Sequence, residues 1–418
     1  MRKEQLEYAV ARYGTPLYLF DMDRLEAEVG RIRKILGKHA GLCYAMKANP
    51  FLTARMAELT DRIEVCSMGE FRICRELSIP PEKLLISGVV KKQEDLFEIL
   101  DCCGGRCAYT VESVRQFHYL AEWSDAHDEP LRIYLRLGGD SQFGMDEDTF
   151  YSIVGLVNMS PRLRPEGLHY FTGTQKRSLD RLKKEIAYLD RFLLDLKEKT
   201  GCDIRCLEYG PGISVPYFRE KTAETFCDSG LESLAEMLSG MEWNGDVTVE
   251  LGRAFAAMCG YYLTGICDVK TSEDTNYCMV DGGSHQLNYD GQIRGMYEPY
   301  IRMIPESLPG QERTWTVCGS LCSVNDILCR DIRLGGVRTG RTLVFERAGA
   351  YSAMEGMALF LSHALPQVVS YSSADGWNML RGRKETWTVN MAESAKAPDG
   401  NAADRHVRRP SDCLAAVH

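Results

Sequence analysis

Lys47 closes the apolar run Leu42-Cys43-Tyr44-Ala45-Met46 and is followed by Ala48-Asn49-Pro50, whose Asn-Pro step excludes helix. An ammonium held against apolar surface loses solvation, so its pKa falls, and the neutral amine can condense with an aldehyde. A lysine at a strand end can equally just carry its charge out to water, so position 47 gains meaning only from its companions. Those are His169, the turn Gly210-Pro211-Gly212, and Glu250 followed by Gly252-Arg253. They offer an imidazole, a carboxylate and two glycine-bearing turns whose backbone N–H groups can approach an anion. Either turn alone reads as an ordinary chain reversal; their coincidence with an anchoring lysine is what carries weight.

The elements that must position these groups follow from hydrophobic periodicity. Short apolar, β-branched or aromatic runs begin at Leu42, Arg62, Lys83, Cys107, Arg132, Gly167, Cys206 and Val247, separated by stretches rich in Glu, Lys, Arg and Leu at helical spacing. Their intervals, about twenty to about forty residues, leave room for a crossover helix each time. Eight such units predict an α/β fold of the (β/α)8 type, a TIM barrel. The segment from Arg181 to Leu196 repeats apolar residues every three or four positions and should lie outside the sheet. Barrel active sites form at the C-terminal ends of strands, and these runs end at Lys47, Ser67, Ser87-Gly88, Arg136, His169, Gly210-Pro211-Gly212 and Glu250.

Beyond Phe255, strand-like pieces such as Tyr261–Ile266, Trp315–Cys318 and Arg341–Phe345 follow one another without long helices, which predicts a mainly β second domain. Thr15-Pro16-Leu17-Tyr18-Leu19-Phe20 has the same character and should join that sheet. The expected partition is an N-terminal strand segment over 1–24, the barrel over 25–255, a β-rich domain over 256–390, and a disordered tail over 391–418 that is poor in apolar periodicity.

With 418 residues and 44% hydrophobic content the chain can bury a large core and exceeds one average domain. Its net charge of -9 is spread over both signs, which argues against nucleic acid or acidic lipid as a partner. The polar start Met1-Arg2-Lys3-Glu4-Gln5 lacks a secretory core, and no run is apolar enough for a membrane span, so a cytoplasmic location is expected. Sixteen scattered cysteines then read as reduced thiols, and their spacing makes no zinc site, so no metal is expected.

An aldehyde-reactive amine, a phosphate cradle, a carboxylate and an imidazole at one barrel mouth point to pyridoxal 5'-phosphate. With those residues in place the chain resembles the fold-type III pyridoxal-phosphate decarboxylases, the group containing diaminopimelate, ornithine and arginine decarboxylases. The motifs stand as Tyr44-Ala45-Met46-Lys47-Ala48-Asn49, Ser67-Met68-Gly69-Glu70, His169-Tyr170-Phe171-Thr172-Gly173-Thr174-Gln175, Glu250-Leu251-Gly252-Arg253, Cys318-Gly319-Ser320-Leu321-Cys322 and Gly349-Ala350-Tyr351, in family order. The resemblance implies that Lys47 carries the cofactor as a Schiff base, that His169 stacks on its ring, and that Glu250 hydrogen-bonds the pyridine nitrogen and keeps it protonated. Racemases sharing the barrel place an arginine there, so glutamate tips the reading towards decarboxylation. It further implies phosphate contacts from Gly210, Gly212, Gly252, Arg253 and Tyr351. Cys322 would reprotonate the substrate carbon from the other subunit of a head-to-tail homodimer.

The match departs from the family at the substrate end. Members acting on free diamino acids carry Asp or Glu directly after the catalytic cysteine, where this chain has Ser323, with Asp326 three residues further on. A charge-assisted hydrogen bond worth about 1.5 to 3 kcal/mol is thereby lost, which argues against a free diamino acid. The segments 169–175, Val215-Pro216-Tyr217-Phe218 and Gly282-Gly283-Ser284-His285 are similar to a branch acting on amino acids tethered to an acyl carrier protein. The expected substrate is therefore carrier-bound, or has an uncharged or acidic side chain. Arg253, Arg294, Ser323 and Asp326 are the candidate substrate contacts. Diaminopimelate decarboxylation proper, amino-acid racemisation and a non-catalytic regulator are the alternatives.

Overall fold

A computed structural model describes residues 1–37, 39–138, 141–219, 228–289, 295, 297–306 and 311–392. Eight parallel strands close into a barrel: β2 Gly41–Ala45, β3 Arg62–Val65, β4 Leu84–Ile86, β5 Ala108–Val111, β6 Leu131–Leu137, β7 Leu163–Phe171, β8 Cys206–Gly210 and β9 Asp246–Leu251, with β2 pairing β9. β1, Leu17–Asp21, precedes them and lies elsewhere. The sequence runs locate seven of the eight strand starts to within one residue. β7 begins four residues before the expected Gly167, because Leu163-Arg164-Pro165-Glu166 pairs through a register shift opposite Ile133 and Tyr134 that the polar, proline-bearing sequence conceals.

The barrel interior is a packed core. Leu85, Ala108 and Tyr134 form a separate apolar cluster inside it, with Cys206 against them. Beside them Arg62 meets the fully buried Glu208 at 2.7 Å and the Tyr134 hydroxyl at 2.9 Å. Buried charges are tolerated when paired and hydrogen-bonded in this way. This filling floors the barrel, so that inward side chains one layer higher face the C-terminal mouth. The outer helices present apolar stripes to the strands; Leu179–Thr200 buries Leu182, Ile186, Leu189, Phe192, Leu193 and Leu196 on one side.

The remaining strands build a nine-stranded, mainly antiparallel sheet: β10 Gly260–Ser272, β11 Thr275–Val280, β12 Ile301–Ile304, β13 Glu312–Cys318, β14 Ile327–Gly335, β15 Thr342–Glu346, β16 Gln367–Ser372 and β17 Gly376–Arg381, together with β1. β1 sits between β10, antiparallel, and β16, parallel. No helix among the described residues is long and apolar enough to cross a membrane. The expected tail lies outside the described residues apart from Met391 and Ala392.

Candidate active site

β2 stops at Ala45 and the chain turns through a 3-10 step, Met46–Ala48, that carries Lys47 to the barrel mouth. Asn49 fixes this turn: its side chain accepts from Phe51 N–H at 3.1 Å and donates to the Gly349 carbonyl at 2.8 Å. The Ala48 carbonyl accepts from Tyr351 N–H at 2.7 Å. The lysine turn and the Gly349-Ala350-Tyr351 segment are thus stitched together although three hundred residues separate them. Gly349 must be glycine, since a Cβ there would strike the Ala256 carbonyl. Tyr351 has φ +64°, a conformation that costs a tyrosine energy and is held here by its surroundings.

Lys47 Nζ donates to Glu64 of β3 and lies 3.8 Å from Glu250 at the end of β9. Glu250 reaches back to His169 Nε2 at 3.1 Å, and His169 is buried with Nδ1 lacking a hydrogen-bond partner. β3, β7 and β9, with the turn that ends β2, therefore bring two carboxylates, an imidazole and an amine into one cluster. Desolvation at the barrel mouth pulls the Lys47 pKa down, less so because 42% of its side chain remains exposed, and Glu64, Cys66 and Glu250 outweigh it, so the net shift is above the ordinary lysine value. The expected lowering is reversed because the surroundings of Lys47 are acidic rather than apolar. Glu64, although buried, is pulled down to about 2 by the adjacent Lys47 and His169.

Lys47 and Glu250 share a cavity of about 230 Å³ with Thr174, Gly212, Gly252, Arg253 and Tyr351. Gly212 has φ +60° and a Cβ there would run into the Gly173 carbonyl, so two loops touch at this point. Gly210 ends β8 two residues before it. Arg253 is buried, donates to the Tyr217 hydroxyl at 3.2 Å and places its guanidinium 4.7 Å from the Tyr351 ring centre.

Of the candidate substrate contacts, Arg253 lines this cavity, whereas Ser323 and Asp326 are not among its lining residues. Cys322 and Ser323 are exposed on the turn between β13 and β14 and are not among the residues lining the Lys47 cavity. Asp326 is buried with both oxygens engaged, accepting from Ser284 N–H and Leu321 N–H at 2.7 Å each. It organises the Cys322 turn instead of presenting a carboxylate to solvent. Arg294 lies outside the described residues. Sequence reasoning overlooked Glu64; the signal available was an acidic residue inside the apolar strand Arg62-Ile63-Glu64-Val65, where period-two alternation points it inward with Arg62.

The donor set fits pyridoxal phosphate: an amine for the aldehyde, a buried carboxylate for a ring nitrogen, an unpartnered imidazole nitrogen, and a glycine turn with an arginine and a tyrosine for the phosphate. A family model described as the pyridoxal binding domain of pyridoxal-dependent decarboxylases matches residues 22–257. The chain belongs to this family, and is a pyridoxal-phosphate-dependent carboxy-lyase. Among its relatives it is 26% identical over 385 residues to the L-glutamyl-[BtrI acyl-carrier protein] decarboxylase of Niallia circulans, covering 85% of this chain and 88% of that one. It is 24% identical over 369 residues to a diaminopimelate decarboxylase of Methanocaldococcus jannaschii, with 81% and 82% covered. The fold is similar to the crystal structure of Helicobacter pylori diaminopimelate decarboxylase complexed with L-lysine, at TM-score 0.81 and 21% identity, covering 92% of this chain and 99% of that one.

Proposed function

We propose that this decarboxylase works on an amino acid tethered to an acyl carrier protein, or on a free one whose side chain is uncharged or acidic. Lys47 would hold the cofactor covalently through its amine, His169 would lie against the ring, and Glu250 would hold a proton on the pyridine nitrogen. Gly210, Gly212 and Gly252 offer backbone N–H groups to the phosphate, with Arg253 and Tyr351 completing its shell. When bound, pyridoxal phosphate supplies the electron sink for the pair released as the carboxylate departs. Cys322 returns a proton to the α-carbon, reaching the cavity from a second copy of the chain in a homodimer with shared sites. In this reading residues 25–255 hold the cofactor, 256–390 with 1–24 supply Tyr351 and Cys322, and the setting is cytoplasmic.

The observation that carries the substrate assignment is the Cys322 turn. Ser323 follows the cysteine, and the nearby carboxylate, Asp326, is consumed by two backbone amides. A distal ammonium would be left without a charged partner there. The acyl-carrier-protein relative supports the same direction. The test is mass spectrometry of purified enzyme with pyridoxal phosphate against free and carrier-linked amino acids. Carbon dioxide release from a carrier-linked or acidic substrate is expected; ordinary turnover of free diaminopimelate would establish the alternative, and racemisation without carbon dioxide release would overturn both.

A further inference from the structure

The glycine turn that lines the Lys47 cavity does not hold its own position. Its backbone is paired to the loop after β7: Lys176 N–H donates to the Gly212 carbonyl at 2.8 Å, and Ser214 N–H donates to the Lys176 carbonyl at 3.0 Å. Gln175 adds a side-chain clasp, its carbonyl oxygen accepting from Val215 N–H at 2.8 Å. The loop carrying Lys176 and Gln175 is itself irregular, with Gly173 and Gln175 both at positive φ, so local sequence does not explain its shape.

Its shape comes from a buried charge cluster. The Lys176 side chain is 1% exposed, and its Nζ donates to Glu185 at 2.8 Å and to the Thr172 hydroxyl at 2.9 Å. Glu185 stands on the inward stripe of helix Leu179–Thr200, where every other buried residue is apolar. It also accepts from Thr172 at 2.7 Å, from Tyr209 of β8 at 3.0 Å and from Arg181 at 3.2 Å. These hydrogen bonds outweigh burial and keep the Glu185 carboxyl below its ordinary range, while burial outweighs Glu185 at Lys176 and lowers its amine, so it is the converging hydrogen bonds that define the hub. A buried ion pair is a poor source of net stability compared with apolar packing, and its best-attested use is to fix one arrangement among several.

We propose that Lys176 and Glu185 are positioning residues for the cofactor's phosphate: the pair locks the loop after β7, and through it the Gly212 turn, into the geometry that receives a phosphomonoester. This rests on the pyridoxal-phosphate reading of the cavity. Neither side chain needs to touch the cofactor. Lys176 acts through its own backbone on Gly212, and Thr174, between the hub and the turn, lines the cavity itself.

The discriminating measurement is the dissociation constant of the apoprotein for pyridoxal 5'-phosphate and for pyridoxal, which has the aldehyde and ring but no phosphate, both followed by imine absorbance. Glu185→Gln, Lys176→Met and the conservative Lys176→Arg are compared with the unaltered chain, and circular dichroism melting checks folding. Expected is at least a tenfold weakening for the phosphorylated form in Glu185→Gln, with pyridoxal changed less than twofold and partial recovery in Lys176→Arg relative to Lys176→Met. Equal weakening of both aldehydes, or none in a folded Glu185→Gln protein, overturns the proposal while leaving the cofactor reading intact. An unaltered chain that takes up neither aldehyde overturns the cofactor reading first and this proposal with it.

Discussion

The barrel mouth and the turn between β13 and β14 carry the two halves of the proposed chemistry, and they are built in opposite ways. At the mouth, Lys47, Glu64, His169 and Glu250 touch one another, and the second domain is pinned beside them through Asn49–Gly349 and Ala48–Tyr351. At the turn, Asp326 fixes the backbone from below while Cys322 and Ser323 face outward and Val324 is 90% exposed. One region is assembled from residues of a single chain; the other exposes its thiol and contributes nothing to the lining of the cavity it is proposed to serve. Cofactor capture should therefore depend on one chain's residues alone, and turnover on two copies meeting.

The largest effect should come from Lys47→Ala, which removes the covalent anchor: imine absorbance disappears and turnover falls by at least about 10⁴-fold. Cys322→Ala should slow product formation by about 10²- to 10⁴-fold, the range for losing a general acid, while the absorbance of the bound cofactor stays nearly unchanged. Mixing the two inactive proteins sharpens the contrast. If Cys322 acts across subunits, mixed dimers regain one intact site and activity returns; a mixture that stays inactive after subunit exchange places both residues in the same chain's site. Glu250→Gln should cost about 10²- to 10³-fold in kcat, the size of a lost preorganised electrostatic contact, with the covalent attachment at Lys47 still visible.

These two regions were also unequally legible in the sequence. Barrel strands announce themselves because both faces are buried, so Leu42–Ala45 reads as a continuous apolar run and its end marks the mouth. Position along a strand then places Lys47, His169 and Glu250 at one level without any knowledge of their contacts. What stayed hidden is what depends on partners distant in the chain. The acidity around Lys47 comes largely from Glu64, a carboxylate on a short strand, with Cys66 and Glu250 adding to it, and it reverses the direction of the pKa shift that an apolar setting implies. Asp326 could be located as a carboxylate near the cysteine, but its engagement by the amides of Ser284 and Leu321 needs β11 and β13 side by side. Glu185 sits on the inward stripe of a helix whose apolar spacing gives no warning of an ion pair.

Glu64→Gln is the subtlest way to probe the self-contained region. The carboxylate stabilises the Lys47 ammonium, yet only the neutral amine can attack an aldehyde, so the pair should slow cofactor capture at neutral pH. Below the amine's pKa the capture rate should climb about tenfold per pH unit as the neutral fraction grows. Replacing Glu64 moves that profile to lower pH and makes capture faster near neutrality, the reverse of what is expected if Glu64 were instead the base that strips the proton. Stopped-flow imine absorbance across pH separates the two: slower capture at every pH assigns Glu64 the base role, and an unmoved profile removes it from the control of Lys47. Stability offers a second reading of the same group. Glu64 titrates at about 2 in the fold against 4.5 ordinarily, so its contribution is in place above pH 4.5 and fades as pH falls towards 2. In Glu64→Gln apoprotein that part of the acid loss should be absent, measured as a flatter dependence of the denaturation midpoint on pH over this interval.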